Sequence, residues 1–137
     1  MSTADYTRHS RYHETREEVG KTMKKVAFAD INNWGMPPAH FKMHSARIQG
    51  AAETGVQSFW CGLSEYEPGG GIEWSGDDSP NEKVYMVLEG ELTVKGKDEE
   101  FVLGPKDSIY IGPNEGRSLI NNGSKRATMM VVVNVIK

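Results

Sequence analysis

Few residue pairs in this chain have a spacing that does chemistry by itself. His40 and His44 lie four apart in Pro38-Ala-His-Phe-Lys-Met-His44. On a helix that spacing would let both rings hold one metal ion. Pro37-Pro38 and the pattern that follows favour an extended segment, where the two rings share a face but sit about 13 Å apart. A solvent-facing or interface role is expected for both. His9 and His13 fall in a polar leader and are expected to be exposed. Cys61 is the sole cysteine, with no base placed beside it, and reads as a small core residue. Gly69-Gly-Gly71 is not a phosphate loop, because neither a helix nor a Lys-Ser/Thr pair follows it. Glycines there permit a tight backbone path.

The elements that must position any site come from the rest of the chain. Its 137 residues suit one domain with a core that needs no disulfide or structural metal. The net charge of −3 is spread along the sequence. No basic patch suggests nucleic acid and no polybasic run suggests a membrane surface. No apolar run approaches the ~20 residues that span a bilayer. A single cysteine and no apolar leader lead to the expectation of a soluble cytoplasmic protein.

Residues 1–25 are expected to form a polar arm, irregular or short-helical, either mobile or docked on a partner subunit. Within it, Glu14 to Lys25 has acids early and lysines late, an order that suits a helix dipole, though Gly20 weakens it. Residues 26–137 are expected to form one domain. Short strands are expected near 42–49, 56–66, 71–75, 83–89, 91–96, 99–103, 107–111, 117–121 and 126–135. Between them lie turn residues such as Pro68-Gly-Gly-Gly71, Glu89-Gly90, Gly104-Pro105 and Asn122-Gly123. Short, regularly spaced strands with such turns mean an all-β sandwich or barrel. Met129-Met-Val-Val-Val133 is apolar on both faces, as expected of a strand covered on both sides, one of them by a second subunit.

The stretch Lys83-Val-Tyr-Met-Val-Leu-Glu-Gly-Glu-Leu-Thr-Val94 resembles the centre of the first motif of the cupin family, small jelly-roll barrels (double-stranded β-helices) that usually hold a metal. That motif reads Gly, five residues, His-x-His, three or four residues, Glu, six residues, Gly. Gly90 matches its last glycine and Lys83 falls on the glutamate, with Glu82 beside it. Counting from Gly69 puts Ser75 and Asp77 on the histidines; counting from Lys83 gives Asp77 and Ser79. The second motif reads Gly, five residues, Pro-x-Gly, two residues, His, three residues, Asn. Asn121 matches the asparagine and Arg117 takes the histidine position. The resemblance covers residues 57–135 and implies an all-β cupin barrel and a homodimer. It departs at every usual ligand position. Lysine and arginine are cations at neutral pH and repel a divalent ion, so no metal is expected at the usual site and no cofactor elsewhere.

If Lys83 points inward as the family's glutamate does, strand alternation sends Tyr85 and Val87 inward too, and places Arg117, Leu119 and Asn121 on one inner face. On the strand 56–66, Trp60, Gly62, Ser64 and Tyr66 alternate with Phe59, Cys61, Leu63 and Glu65, and alternation does not say which set faces in. The expected site has Lys83, Tyr85 and Arg117 as working groups. Glu73, Trp74, Asp77, Glu82 and Asn121 would be binding residues around them. Arginine offers a planar fork for a carboxylate, and a buried lysine can lose its proton and act as a base. Equally, Lys83 and Arg117 could pair with Glu73, Asp77 or Glu82 in an internal salt bridge that fills the space of a metal.

Three functions follow. One is a metal-independent cupin that binds a small, anionic organic acid, or an aromatic or sugar-type metabolite, with isomerase, tautomerase or lyase chemistry. Another is a binding or accessory protein without catalysis. The third is a metal enzyme of dioxygenase type that uses Asp77, Glu73, Glu82 or an arm histidine as unusual ligands.

Overall fold

In the computed structural model, residues 22–137 are described. Among them the chain forms a nearly all-β barrel. Its strands are β1 (His40–Gln49), β2 (Phe59–Ser75), β3 (Lys83–Glu89), β4 (Leu92–Lys95), β5 (Glu100–Leu103), β6 (Ser108–Ile111), β7 (Arg117–Ile120) and β8 (Ala127–Asn134). A one-turn helix α1 (Ala51–Thr54) and a 3-10 turn at Phe28–Asp30 complete the elements. No helix among the described residues is long and apolar enough to cross a membrane. The expected helix over Glu14 to Lys25 lies mostly outside the described residues, and 22–25 are not helical.

Strand β2 corrects the sequence reading. Residues 56–66 and 71–75 were expected as two strands separated by a glycine turn, but the chain runs through Pro68-Gly-Gly-Gly71 as one bent strand. Its first half pairs with β8, from Phe59 opposite Asn134 to Tyr66 opposite Ala127. Its second half pairs with β7, with Ile72 opposite Leu119 and Ser75 opposite Arg117. One strand therefore belongs to both sheets of the jelly roll. β8, β3 and β6 extend one sheet, and β7, β4 and β5 extend the other. β1 follows β2 around the bend, pairing Phe41 with Gly71 and Met43 with Tyr66.

The glycines are what allow the bend. Gly69 sits at φ 82°, in the left-handed region that L side chains avoid. A methyl group on Gly70 would lie 2.1 Å from the Lys42 carbonyl oxygen, and one on Gly71 would lie 2.0 Å from the Leu119 carbonyl oxygen. Two neighbouring backbones thus press on β2 where it crosses between sheets.

Glu89-Gly90 is a turn between strands that do not pair with each other. β3 bonds to β6 and β8, whereas β4 bonds to β5 and β7. Gly90, at φ 78°, packs within 3.0 Å of Ala127 at the position of its missing Cβ. It carries the chain across from one sheet to the other.

The core between the sheets contains Tyr66, Ile72, Tyr85, Val87, Leu92, Val94, Leu119 and Met129. The segment before β1 folds back onto the barrel. Gly35 and Ser45 exchange backbone hydrogen bonds of 2.9 and 2.8 Å, Asn33 donates to the Arg47 carbonyl, and the Trp34 ring lies 4.6 Å from that of His44.

Gly71→Ala is expected to lose about 3 kcal/mol of stability, the upper range for forcing atoms into packed space. Gly35→Ala, with open space at its Cβ, should stay within about 0.5 kcal/mol of the parent. Urea unfolding of the two variants checks both.

Candidate functional site

A cavity of about 680 Å³ opens inside the barrel. Alternation along β2 places Trp60, Gly62, Ser64 and Tyr66 on its wall, which settles the side that the sequence left open. From β3 come Lys83 and Tyr85, while Val87 continues into the packed core. Arg117 enters from β7, and His40 and Arg47 from β1. Ile72, Met129, Val131 and Val133 supply apolar surface. Among the described residues no aspartate or glutamate lines this cavity.

Arg117 is buried, with 8% of its surface exposed. Its Nε donates to the Tyr85 hydroxyl at 2.9 Å. Its Nη1 donates to the Ser75 carbonyl oxygen at 2.9 Å and to the Ser75 hydroxyl at 3.0 Å. The cross-strand pairing of Ser75 with Arg117 makes these contacts, and Gly76 leaves room for the guanidinium, since a Cβ there would meet Nη1 at 2.9 Å. The guanidinium carbon stands 5.9 Å from the centre of the Tyr85 ring. Every one of these partners is neutral. Among the described residues Arg117 forms no salt bridge, and its Nη2 has no protein acceptor.

Lys83 is the second cation. Its Nζ donates to the Ser79 hydroxyl at 3.2 Å and to no carboxylate. Burial lowers its pKa, and the nearby charge of Arg117 lowers it further. Burial raises the pKa of Tyr85, against the opposing pull of Arg117. The phenol therefore stays protonated at neutral pH. Since its oxygen already accepts from Arg117, its own proton is available to a ligand.

His40 was expected to face solvent or an interface, yet it is half-buried on the cavity wall. Pro37 lines the same cavity, and the turn at Pro38-Ala39 leads directly into His40. His44 turns outward instead and contacts Glu65 at 2.6 Å.

The expected binding residues separate into groups. Glu73 and Asp77 are exposed and pair with neither cation. Glu82 is exposed and accepts from the Tyr110 hydroxyl. Trp74 is half-exposed, with its indole packed over Gly116 outside the cavity wall. Asn121 is fully buried but turned into a corner. It donates to the Tyr66 and Lys125 carbonyls, and its Oδ1 accepts from the Gly123 amide. The structure thus brings together Lys83, Tyr85 and Arg117, adds His40, Ser75 and Ser79, and leaves the acids outside. The internal salt bridge weighed from the sequence does not form among the described residues.

A family model for a cupin domain matches residues 62–133. The chain is a cupin. This cupin is 40% identical over 96 residues to beta-D-galactosidase Rv1717 of Mycobacterium tuberculosis, covering 70% of this chain and 81% of that protein. Its fold is similar to that of the polyketide cyclase RemF from Streptomyces resistomycificus, at 20% identity and a TM-score of 0.71, over 82% of this chain and 79% of the other. It is also similar to a cupin-superfamily sugar phosphate isomerase from Silicibacter pomeroyi, at 21% identity and a TM-score of 0.70, over 82% and 76%. These structural likenesses show the fold alone.

The usual metal of the family was tested against the donors present. At its site this cupin offers a guanidinium, an ammonium, a serine hydroxyl and a phenol. Arginine does not deprotonate in proteins and has no lone pair to give. Among the described residues no three His, Cys, Asp or Glu side chains gather where they could hold an ion. The donor set does not fit a divalent metal.

Tyr85→Phe keeps the ring but leaves the buried Arg117 Nε without an acceptor. A loss of about 2 kcal/mol is expected for a charged donor left unpaired, measured by denaturant unfolding.

Proposed function

We propose that this cupin binds a small carboxylate-bearing metabolite in its barrel without a metal, and acts on it by proton transfer. The observation that carries the reading is the pair of cations, Arg117 and Lys83, in a cavity to whose wall the described residues contribute no carboxylate. Two like charges brought together in a partly dry site repel each other. An anion relieves that repulsion and accepts the hydrogen bonds that Arg117 Nη2 and Lys83 Nζ still have to give. The apolar wall and the indole of Trp60 favour a ligand with a compact hydrocarbon or ring portion.

Proton transfer is the chemistry these groups suit. Arg117 would fix the carboxylate. Tyr85 would donate to oxygen as charge develops there, and Lys83 would stabilise the resulting oxyanion.

A second reading comes from the galactosidase relative. Glycoside hydrolysis commonly uses two carboxylates, about 5–5.5 Å apart in retaining enzymes and 6.5–9.5 Å apart in inverting ones. Among the described residues the cavity wall supplies neither. A sugar acid would reconcile the activity in the relative's name with the cationic pair better than a neutral galactoside would.

A thermal-shift screen tests this with organic acids, sugar acids and neutral sugars in parallel. Stabilisation is expected from carboxylates and not from galactose or nitrophenyl β-D-galactoside. At a ligand concentration 100 times Kd, about 2.7 kcal/mol of stabilisation is expected. Arg117→Leu and Lys83→Met should each remove it. Stabilisation by neutral galactosides alone, or their hydrolysis, would overturn the reading.

Affinity should also depend on pH. An anion favours the protonated form of Lys83, so binding weakens as pH rises through that residue's pKa. Because that pKa is lowered, the weakening should begin at a pH where an ordinary lysine is still fully charged. Calorimetric titration across alkaline pH checks the position of the fall, and Lys83→Arg should move it upward.

A further inference from the structure

We propose that His40 is the base of this cavity, taking a proton from the carbon beside a carbonyl group in a 2-oxo acid held by Arg117 and Lys83, and returning one. The inference rests on the anion-binding reading above and goes beyond it by naming the proton carrier and the class of substrate. Its first support is the tautomer. His40 Nδ1 lies 2.8 Å from the Pro38 carbonyl oxygen. A carbonyl only accepts, so Nδ1 carries the proton, and in the neutral ring Nε2 keeps its lone pair. A base of this kind is oriented by a partner behind it, and here that partner is backbone.

The second support is the backbone that presents the ring. Ala39, immediately before His40, sits at φ 65°, and Lys42, two residues after, at φ 49°. Non-glycine residues in the left-handed region are strained, because Cβ crowds the following carbonyl oxygen. Such strain persists where the surroundings enforce it. Ala39 is fixed by its carbonyl, which accepts from the Glu73 amide at 2.8 Å, and His40 pairs across the ladder with Ile72. The distorted start of β1 sets His40 on the cavity wall with Arg117 and Lys83.

The charged and titratable neighbours favour a neutral ring. Arg117 on β7, Lys83 and Tyr85 on β3, Tyr66 on β2 and Arg47 on β1 share the cavity with it, and among the described residues no carboxylate does. Burial and the charge of Arg117 lower the His40 pKa and outweigh the contact with Pro38, which raises it.

The step balances without a further reactant. The C–H bond at C3 of the 2-oxo acid breaks, and its electron pair forms the C2–C3 double bond of the enolate. The carbonyl pair moves onto oxygen, where Tyr85 and Lys83 donate hydrogen bonds. Nε2 holds the proton as imidazolium and delivers it back to C3, or to the enolate oxygen to give the enol.

Proton NMR in D2O tests this with pyruvate, 2-oxobutyrate and phenylpyruvate as probes, alongside thermal-shift binding of the same acids. The parent should exchange C3 protons for deuterium above the uncatalysed rate with at least one acid. His40→Gln should lower that rate by about 100-fold or more, while the acid still stabilises the variant. Equal exchange by His40→Gln, or no exchange by a parent that binds the acid, overturns the role of His40 and leaves the anion-binding reading standing. No stabilisation by any carboxylate overturns both. A long-range proton–nitrogen NMR spectrum of the unmutated protein gives a check that needs no variant. It should show His40 protonated on Nδ1 and bare on Nε2 at neutral pH, and the opposite tautomer would contradict the proposal.

Discussion

A guanidinium held inside a barrel by neutral partners is the constraint around which this cupin is arranged. Arg117 is buried, yet its bonds go to a phenol, a hydroxyl and a carbonyl. An arginine buried beside a carboxylate would be an internal pair with nothing left to do. Here no described residue neutralises the positive charge, and Lys83 reinforces it. Such an arrangement costs stability in the empty protein, and the anion proposed above would offset that cost. Burial lowers the pKa values of Lys83 and His40, and the same charge lowers both further.

The bend in β2 makes the constellation possible. Ser75 reaches Arg117 because the second half of β2 pairs with β7. Trp60, Ser64 and Tyr66 face the same cavity because the first half pairs with β8. β1 follows the bend and brings His40 to the wall. Gly70 and Gly71, pressed by the carbonyls of Lys42 and Leu119, therefore shape the site without touching a ligand. The leading segment adds Gly35 and Pro37 to the cavity wall, and its Trp34 ring lies tilted against His44.

The fold was legible because strands and turns are local signals. Alternation around Lys83, Tyr85 and Val87 gave their inward direction, and the pattern at Arg117 and Leu119 did the same. The glycine run in β2 misled because glycines mark both turns and close backbone approaches, and only the neighbouring strands distinguish them. The turn at Glu89-Gly90 likewise marks where two strands end but not which strands they pair with, and β3 and β4 take different partners. In the site, the cations were legible as departures from a motif. Asn121 matched its motif position, but its side chain is consumed by backbone partners. His40 lay outside both motifs, and its placement depends on a strained segment folding back over the barrel. That information is tertiary and leaves no periodic trace.

The account stands or falls on whether Arg117 meets an anion. Its Nε–H, hydrogen-bonded to Tyr85 and sheltered from solvent, should give a resolved proton–nitrogen resonance. That resonance can be followed while a carboxylate is titrated into metal-free protein. A saturable displacement of this signal, at the concentrations that raise thermal stability, is the predicted result. A signal that stays fixed through saturating carboxylate, and moves only when a divalent metal is added, would contradict it.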